Sequence, residues 1–391
     1  MRATTFLELF FSVSLQAAVV VAAAYWTGKL IESERSRCRL WAVCYSFLVL
    51  LVINAVALPH IRLVPPFRPL SRPLAADLVS IEVTLGRVLF GLWIAGGIGS
   101  LGLLIYRCIQ GSRFLRTCQA VDPDVVSLAS LATDERNQQP PYVDHRPVRL
   151  LSTTASTPPF CWQFHQPCIV IPKTLLTYEN VELKCILRHE LAHLRTGHPM
   201  QVFLQRTVEI AFWFHPMVWW ASREWSLARE FQCDDEAVES RGDIVRYLKT
   251  LLMIVEQTAE EARSAPTLTF VRNRCEMAER ARRLVRIAQG GTLDSDRPSG
   301  TVSCHGRLGI AGLTAVFLIA MSLLWVPVNV LASSDSHWSP WPPWSARVLH
   351  DFGVRARDFE VYDHRYTLHE LGNNDTDHMM NRVSATASPT E

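Results

Sequence analysis

Long uncharged apolar runs constrain this chain more than any other feature of it. Leu40 to Pro59, Val88 to Tyr106 and Leu308 to Leu331 contain no charged residue. Each is close to the ~20 residues that a helix needs to cross a bilayer core. In lipid the backbone must satisfy its own hydrogen bonds, which for single segments means helices. A further run, about Phe6 to Gly28, is similar except for Glu8 near its outer end. The sequence therefore predicts four membrane-spanning helices, at about 6–28, 40–59, 88–106 and 308–331. The third carries Gly91, Ala95 and Gly99 at the small-xxx-small spacing that lets helices pack closely.

Ala22-Ala23-Ala24 offers a different reading of the first run, as a cleaved secretory signal. Against it, only Arg2 precedes the run, and the apolar stretch is long for that purpose. Basic residues arbitrate the orientation. Lys29, Arg35, Arg37 and Arg39 follow the first span, and Arg107, Arg113 and Arg116 follow the third. The other side holds Arg2, Arg62, Arg68, Arg72 and, well beyond the fourth span, Arg347. This bias favours an outside N-terminus, a multi-pass protein of the cell membrane, and a cytoplasmic location for the soluble segment at 107–307.

That segment is one domain's worth of chain. The formal net charge of +2 gives no argument for direct nucleic-acid binding. Cysteines are scattered, with no Cys-x-x-Cys pair, as suits reduced thiols. Asp122 to about Glu135 reads as an amphipathic helix and 137–141 as a loop. Val148 to Ser152 and Cys168 to Ile171 read as short strands. The stretch Pro167 to Pro172 is either a simple core strand or an edge strand that holds a peptide by strand addition. A helix is expected from Asn180 to Thr196 with Gly197 as its stop. The apolar 198–221 reads as a buried helical hairpin beneath the site rather than as an interfacial segment. The helix carrying Glu230 follows, then one after Asp243. Arg280 to Arg286 is a basic run, read as a solvated or membrane-facing helix face, and Gln289 to Gly300 is a linker.

The chemistry lies in His189-Glu190-Leu191-Ala192-His193. Histidines four apart share one helix face and can share a Zn²⁺ ion, with the intervening glutamate aimed at the water in the metal's open position. Downstream, Glu230 can supply a third, carboxylate ligand. Asp234, one turn later, is placed to orient a ligand histidine. The competing interpretation makes His189 and His193 core residues on a stripe with Cys185 and Ile186. Glu190 would then be buried beside them with no metal, at a cost of several kcal/mol. Metal-assisted peptide hydrolysis with Glu190 as general base follows. Tyr247 is a possible oxyanion donor. A structural site would need a fourth protein ligand, for which His198 or His215 could serve.

The spans, the zinc motif between the third and fourth, and the Pro-flanked strand ahead of it together resemble the BlaR/MecR-type beta-lactam sensor–transducer metallopeptidases. So do Phe214-His215-Pro216-Met217-Val218-Trp219, Arg223-Glu224 and Arg229-Glu230 before Cys233-Asp234. The resemblance covers about 1–330. The shorter core of His-Glu-x-x-His plus Glu-x-x-x-Asp is shared with CAAX-type prenyl-protein endopeptidases. The resemblance implies a mainly α fold: a four-helix transmembrane bundle with an inserted α+β, gluzincin-like zinc peptidase domain. It also implies His189, His193 and Glu230 as ligands, Glu190 as base and Asp234 behind them. The function it implies is signalling, in which proteolysis, including self-cleavage, leads to loss of a cytoplasmic winged-helix repressor. A housekeeping membrane protease and a non-catalytic receptor are the alternatives.

The antibiotic sensor is not implied. Its Ser-x-x-Lys and Lys-Thr-Gly elements need lysines, and Lys29, Lys173, Lys184 and Lys249 are the only ones here, none in such a context. The tail, 332–391, is expected to be short, outside and disordered. Trp338, Trp341 and Trp344 among prolines would anchor it in membrane lipid. His350, His364, His369 and His378 lie among aspartates beyond that anchor.

Overall fold

The structure, a computed structural model, describes residues 3–62, 71–121, 142–143, 146–155, 157–163, 166–177, 180–238, 242–262, 268–289, 320–322, 324–330, 332 and 336–361. In chain order the elements are α1 (Ala3–Leu30), α2 (Glu34–Ala57), β1 (Ile61–Arg62), α3 (Arg72–Thr117), β2 (Gln119–Ala120), β3 (Tyr142–Val143), β4 (Arg146–Pro147), β5 (Arg149–Thr153), β6 (Phe160–Trp162) and β7 (Cys168–Pro172). A 3-10 turn at Lys173–Thr177 leads to α4 (Asn180–Arg195), α5 (His198–Ala211), α6 (Pro216–Ala237), α7 (Asp243–Ala262), α8 (Leu268–Ala288), β8 (Leu324–Trp325) and α9 (Pro343–Asp351).

Three helices among the described residues are long and apolar enough to cross a membrane: Thr4–Leu30, Glu34–Ala57 and Pro73–Thr117. They match the first three expected spans. The third is much longer than expected, 46 residues in all. At 1.5 Å per residue that is about 69 Å, over twice a hydrocarbon core. Its ends carry charge and so escaped a search for uncharged runs.

Most of the fourth expected span, the helix expected at 122–135 and the tail from 362 lie outside the described residues. Where its end is described, the fourth span departs from expectation. Residues 320–322 are helical, but Leu324–Trp325 is a strand and 326–329 is irregular. Pro327 cannot continue a helix because it lacks an amide hydrogen and its ring clashes with the turn before it.

The chain forms two compact units. The first comprises Met1–Val20, Phe47–Ile98 and Ser303–Glu391. In it β1 pairs parallel with β8, Ile61 opposite Leu324 and Arg62 opposite Trp325. Gln16 donates to the carbonyls of Met321 (3.0 Å) and Leu324 (2.7 Å). Glu8, the odd charge of the first span, is answered by Arg62. The Arg62 guanidinium donates to Glu8 at 2.9 Å and to Glu360 at 3.0 Å, and its side chain is 1% exposed. Glu360 belongs to the tail, so disorder is not the state of 336–361. There Pro343–Asp351 is helical and Trp344 donates to the carbonyl of Val56 at 2.8 Å. Packing of its Trp-Pro segment and the Arg62 pair give that stretch the contacts a disordered tail lacks.

The second unit comprises Val21–Ser46 and Gly99–Val302. Its sheet has the order β2-β5-β7-β6, with β5 and β7 parallel and the others antiparallel. β7 is buried along its whole length and paired on both sides. It is therefore the core strand, and the edge belongs to β6. Helix α4 lays Leu183, Leu187, Leu191 and Leu194 on the sheet, against Val148, Leu150, Ile169 and Ile171. That is the spacing of one helix face, and each such side chain contributes about 1.5–3 kcal/mol by burial. Cys185 faces the other way, into a cluster with Val238, Ile244, Tyr247, Leu284 and Ile287 from α7, α8 and the end of α6. The 198–221 stretch is a helical hairpin, as expected, but only half buried: Met200, Phe203 and Trp219 are exposed.

Removing one member of a buried ion pair strands the others without a counter-charge. Arg62→Ala should therefore cost about 3–5 kcal/mol. A thermal unfolding midpoint that stays at the wild-type value in detergent would show the Glu8–Arg62–Glu360 cluster to be unimportant.

Candidate active site

Gly197 sets up the site. Its φ of 68° lies in the left-handed region, which reverses the chain between the end of α4 at Arg195 and the start of α5 at His198. Its amide donates to the carbonyl of Leu194, and its carbonyl accepts from Met200 and Gln201, all at 3.1 Å. The reversal swings His198 back onto α4, where its Nδ1 lies 2.9 Å from the Nδ1 of His193.

On the next face of α4 the two motif histidines point their Nε2 atoms at each other and at α6. His189 Nε2 and His193 Nε2 are 3.2 Å apart, and Glu230 completes a triangle at 3.4 Å and 3.5 Å. A tetrahedral zinc ion with bonds of about 2.0–2.1 Å has ligand atoms about 3.3 Å apart. The three atoms present therefore fit a zinc ion, with one position left for water or substrate. A second close group, His193 Nδ1, His198 Nδ1 and Cys233 Sγ, lies on the opposite side of the His193 ring. Burial, together with the Glu230 and Asp234 charges, pushes the Cys233 thiol well above its ordinary range, so it remains protonated.

Hydrogen bonds fix which ring nitrogen faces the triangle. Tyr247 donates to Asp234 Oδ1 at 2.7 Å, so the Nδ1–H of His189, 2.9 Å from the phenol oxygen, must be the donor there. This leaves the Nε2 lone pair free for a cation, the usual arrangement behind a metal-bound histidine. Tyr247 thus stands behind His189, and its hydroxyl is committed away from the triangle. The expected oxyanion donor is instead a brace. His193 has its own neighbour in His198, which burial pulls down to about 2 and keeps neutral, with the two Nδ1 atoms 2.9 Å apart.

Burial works to raise both Asp234 and Glu230, but the Arg280 guanidinium overrides it. Asp234 is held at about 2 and Glu230 well below the usual carboxylate range. Burial would pull His189 down, but its bonds to Asp234 and Glu230 lift it to about 9, so positive charge is favoured at this spot. At Glu190 burial outweighs the lowering pull of His189 and Arg280 and pushes the carboxyl up to about 7.

A cavity of about 520 Å³ opens on this constellation. Glu190, His189, His193 and Glu230 line it, as do Arg229 and Arg280. Pro158 to Trp162 form one wall, so the edge strand β6, not β7, runs beside the site.

A family model described as "BlaR1 peptidase M56" matches residues 13–284. The chain belongs to the M56 peptidase family. A curated relative, "Regulatory protein BlaR1" of Bacillus licheniformis, is 26% identical over 180 residues, 46% of this chain and 29% of that relative. The chain thus spans under a third of that protein's length in the matched region.

The M56 match ends at residue 284, just past a residue that sequence reasoning misplaced. Arg280, read as part of a solvated or membrane-facing basic run, is 5% exposed. Its Nε donates to Asp234 Oδ2 at 3.0 Å, Nη2 donates to Oδ1, and Nη1 lies 2.9 Å from Glu230. Arg283 does the same for Asp235, at 2.6 Å and 2.7 Å. A signal was present: Arg280, Leu284 and Ile287 share the i, i+4, i+7 stripe, while Arg282 and Arg286 fall on the exposed side.

If Arg280 orients the triangle through Asp234 and Glu230, Arg280→Met should weaken zinc binding about 10–100-fold. Competition with a chelator measures this. Arg280→Lys should recover only part, because an ammonium cannot form the two-pronged contact. Unchanged zinc affinity in Arg280→Met would reduce Arg280 to a stabilising role.

Proposed function

We propose that this chain is an integral-membrane zinc metalloendopeptidase acting in transmembrane signalling, with its catalytic unit on the cytoplasmic side. The observation that carries this reading is the convergence of His189, His193 and Glu230 on one point with Glu190 in the same cavity. A zinc ion held by these three residues supplies, when bound, Lewis acidity toward water and toward the scissile carbonyl.

Glu190 is the general base. Burial raises its proton affinity to the neutral range, where a carboxylate both accepts a proton from water and returns it to the leaving amine. Asp234, Tyr247 and Arg280 hold His189, and His198 holds His193, so the ligand nitrogens do not have to reorganise. A peptide substrate adds to the free edge of β6, whose residues line the cavity. The oxyanion's donor is not Tyr247, whose hydroxyl is bonded to Asp234.

A closed structural metal site would need a fourth protein ligand. His198, the best candidate, lies against the far nitrogen of His193, which favours catalysis over a receptor with a structural ion. Signalling, rather than housekeeping proteolysis, draws support from α2. Its first turns grip the helices that build the site: Arg35 pairs with Glu236 at 3.2 Å, and Glu34 with Arg283 at 3.7 Å. Tyr45 donates to the carbonyl of Val218 at 2.9 Å. A shift of α2 is therefore felt by α6, which carries Glu230. The substrates proposed are this chain itself and a pathway ending in loss of a cytoplasmic winged-helix repressor.

Glu190→Gln should keep zinc, fold and membrane insertion while losing proteolysis by about a hundredfold to ten-thousandfold. Immunoblots for fragments of the chain and for any co-encoded repressor would read this in cells. A variant that supports the same downstream response would defeat the peptidase reading in favour of a receptor.

A further inference from the structure

We infer that the groove between α3 and α5 binds a single anionic phospholipid. The groove has a volume of about 630 Å³ and lies outside the catalytic cavity. On α3 it is lined by Leu101, Leu104, Ile105 and Ile109, one continuous helical stripe, and that stripe then runs on to Arg113 and Arg116. On α5 the wall is Phe203, Thr207 and Ile210, again one face.

The order of these residues matches one lipid molecule. Leu101 to Ile109 extends about 12 Å along the helix, close to the ~15 Å hydrocarbon half of a bilayer, and Arg113 starts about 6 Å further on, at headgroup depth. Apolar side chains thus meet acyl carbon, and two guanidiniums meet a phosphodiester, which they recognise through paired N–H donors. Both arginines are exposed, as are Leu101, Ile105, Ile109 and Phe203. Among the described residues, the most apolar stretch of α3 contains no buried residue, as suits a helix face that meets acyl chains. The two α5 faces have separate duties. The groove side carries Phe203 and Thr207, while the opposite side buries His198, Gln205 and Glu209, with Gln205 accepting from Arg229 at 2.6 Å. A lipid in the groove therefore touches the helix that braces His193.

The test uses the full chain, purified in mild detergent and exposed to phosphatidylglycerol or to phosphatidylcholine with the same acyl chains. Native mass spectrometry counts the lipids retained. One phosphatidylglycerol per chain is expected, with at least fivefold less phosphatidylcholine. Arg113→Gln with Arg116→Gln should bring phosphatidylglycerol down to the phosphatidylcholine level, and Thr207→Trp, which fills the groove, should abolish retention of both. Circular dichroism and zinc content check that the variants fold. Equal retention of the two lipids, or phosphatidylglycerol retention unchanged in either variant, overturns the proposal. Loss of a dimer mass in Thr207→Trp would also overturn it, by making the groove a contact between copies.

Discussion

The buried pair of Arg280 and Asp234 carries the second unit. Glu190, Glu230 and Asp234 bring three carboxylates into an interior where an unpaired charge costs several kcal/mol, and Arg280 bonds two of the three. It also lies 3.3 Å from the Tyr247 hydroxyl. Four helices meet at this one guanidinium: α8 supplies it, α6 the carboxylates, α7 the tyrosine and, through that tyrosine, α4 His189. Site geometry and domain closure are thus the same set of bonds. A change that loosens α8 must loosen the triangle of His189, His193 and Glu230.

Two backbone features bring the chain to that point. The left-handed Gly197 lets α5 double back so that His198 supports His193. A side chain would meet nothing within 4 Å there, so glycine is needed for its backbone angle and not for room. The parallel pairing of β5 with β7 supplies the flat apolar floor on which α4 rests its leucines, and this leaves the two histidines on the remaining face. The structure thus separates a packing face from a chemical face on one helix of 16 residues.

What could be read from the amino acids was what depends on local periodicity. The three apolar helices, α4 with its glycine stop, and β5 and β7 follow from spacing within one element, and the gathering of Glu230 and Asp234 with the motif histidines follows from the chemistry of a metal motif that needs a further carboxylate. What could not be read depends on partners remote in sequence. Arg280 looks like one of several surface arginines until Asp234, 46 positions away, is placed against it. Strand β6 is three residues long, too short for alternation to register, so β7 drew the edge-strand reading that belongs to its neighbour. Tyr247 was named for the right cavity but the wrong task, because its role turns on which side of the His189 ring it occupies. Glu8 remained an anomaly until Arg62 supplied its counter-ion.

In the proposed site two imidazole nitrogens and the Glu230 carboxylate hold the metal, and the sulfur of Cys233 stands apart from it. X-ray absorption at the zinc edge of the purified full-length chain tests this directly. About one zinc per chain is expected, with only nitrogen and oxygen neighbours at about 2.0–2.1 Å. A sulfur neighbour at about 2.3 Å would move the metal to His193, His198 and Cys233, and would contradict binding by His189, His193 and Glu230.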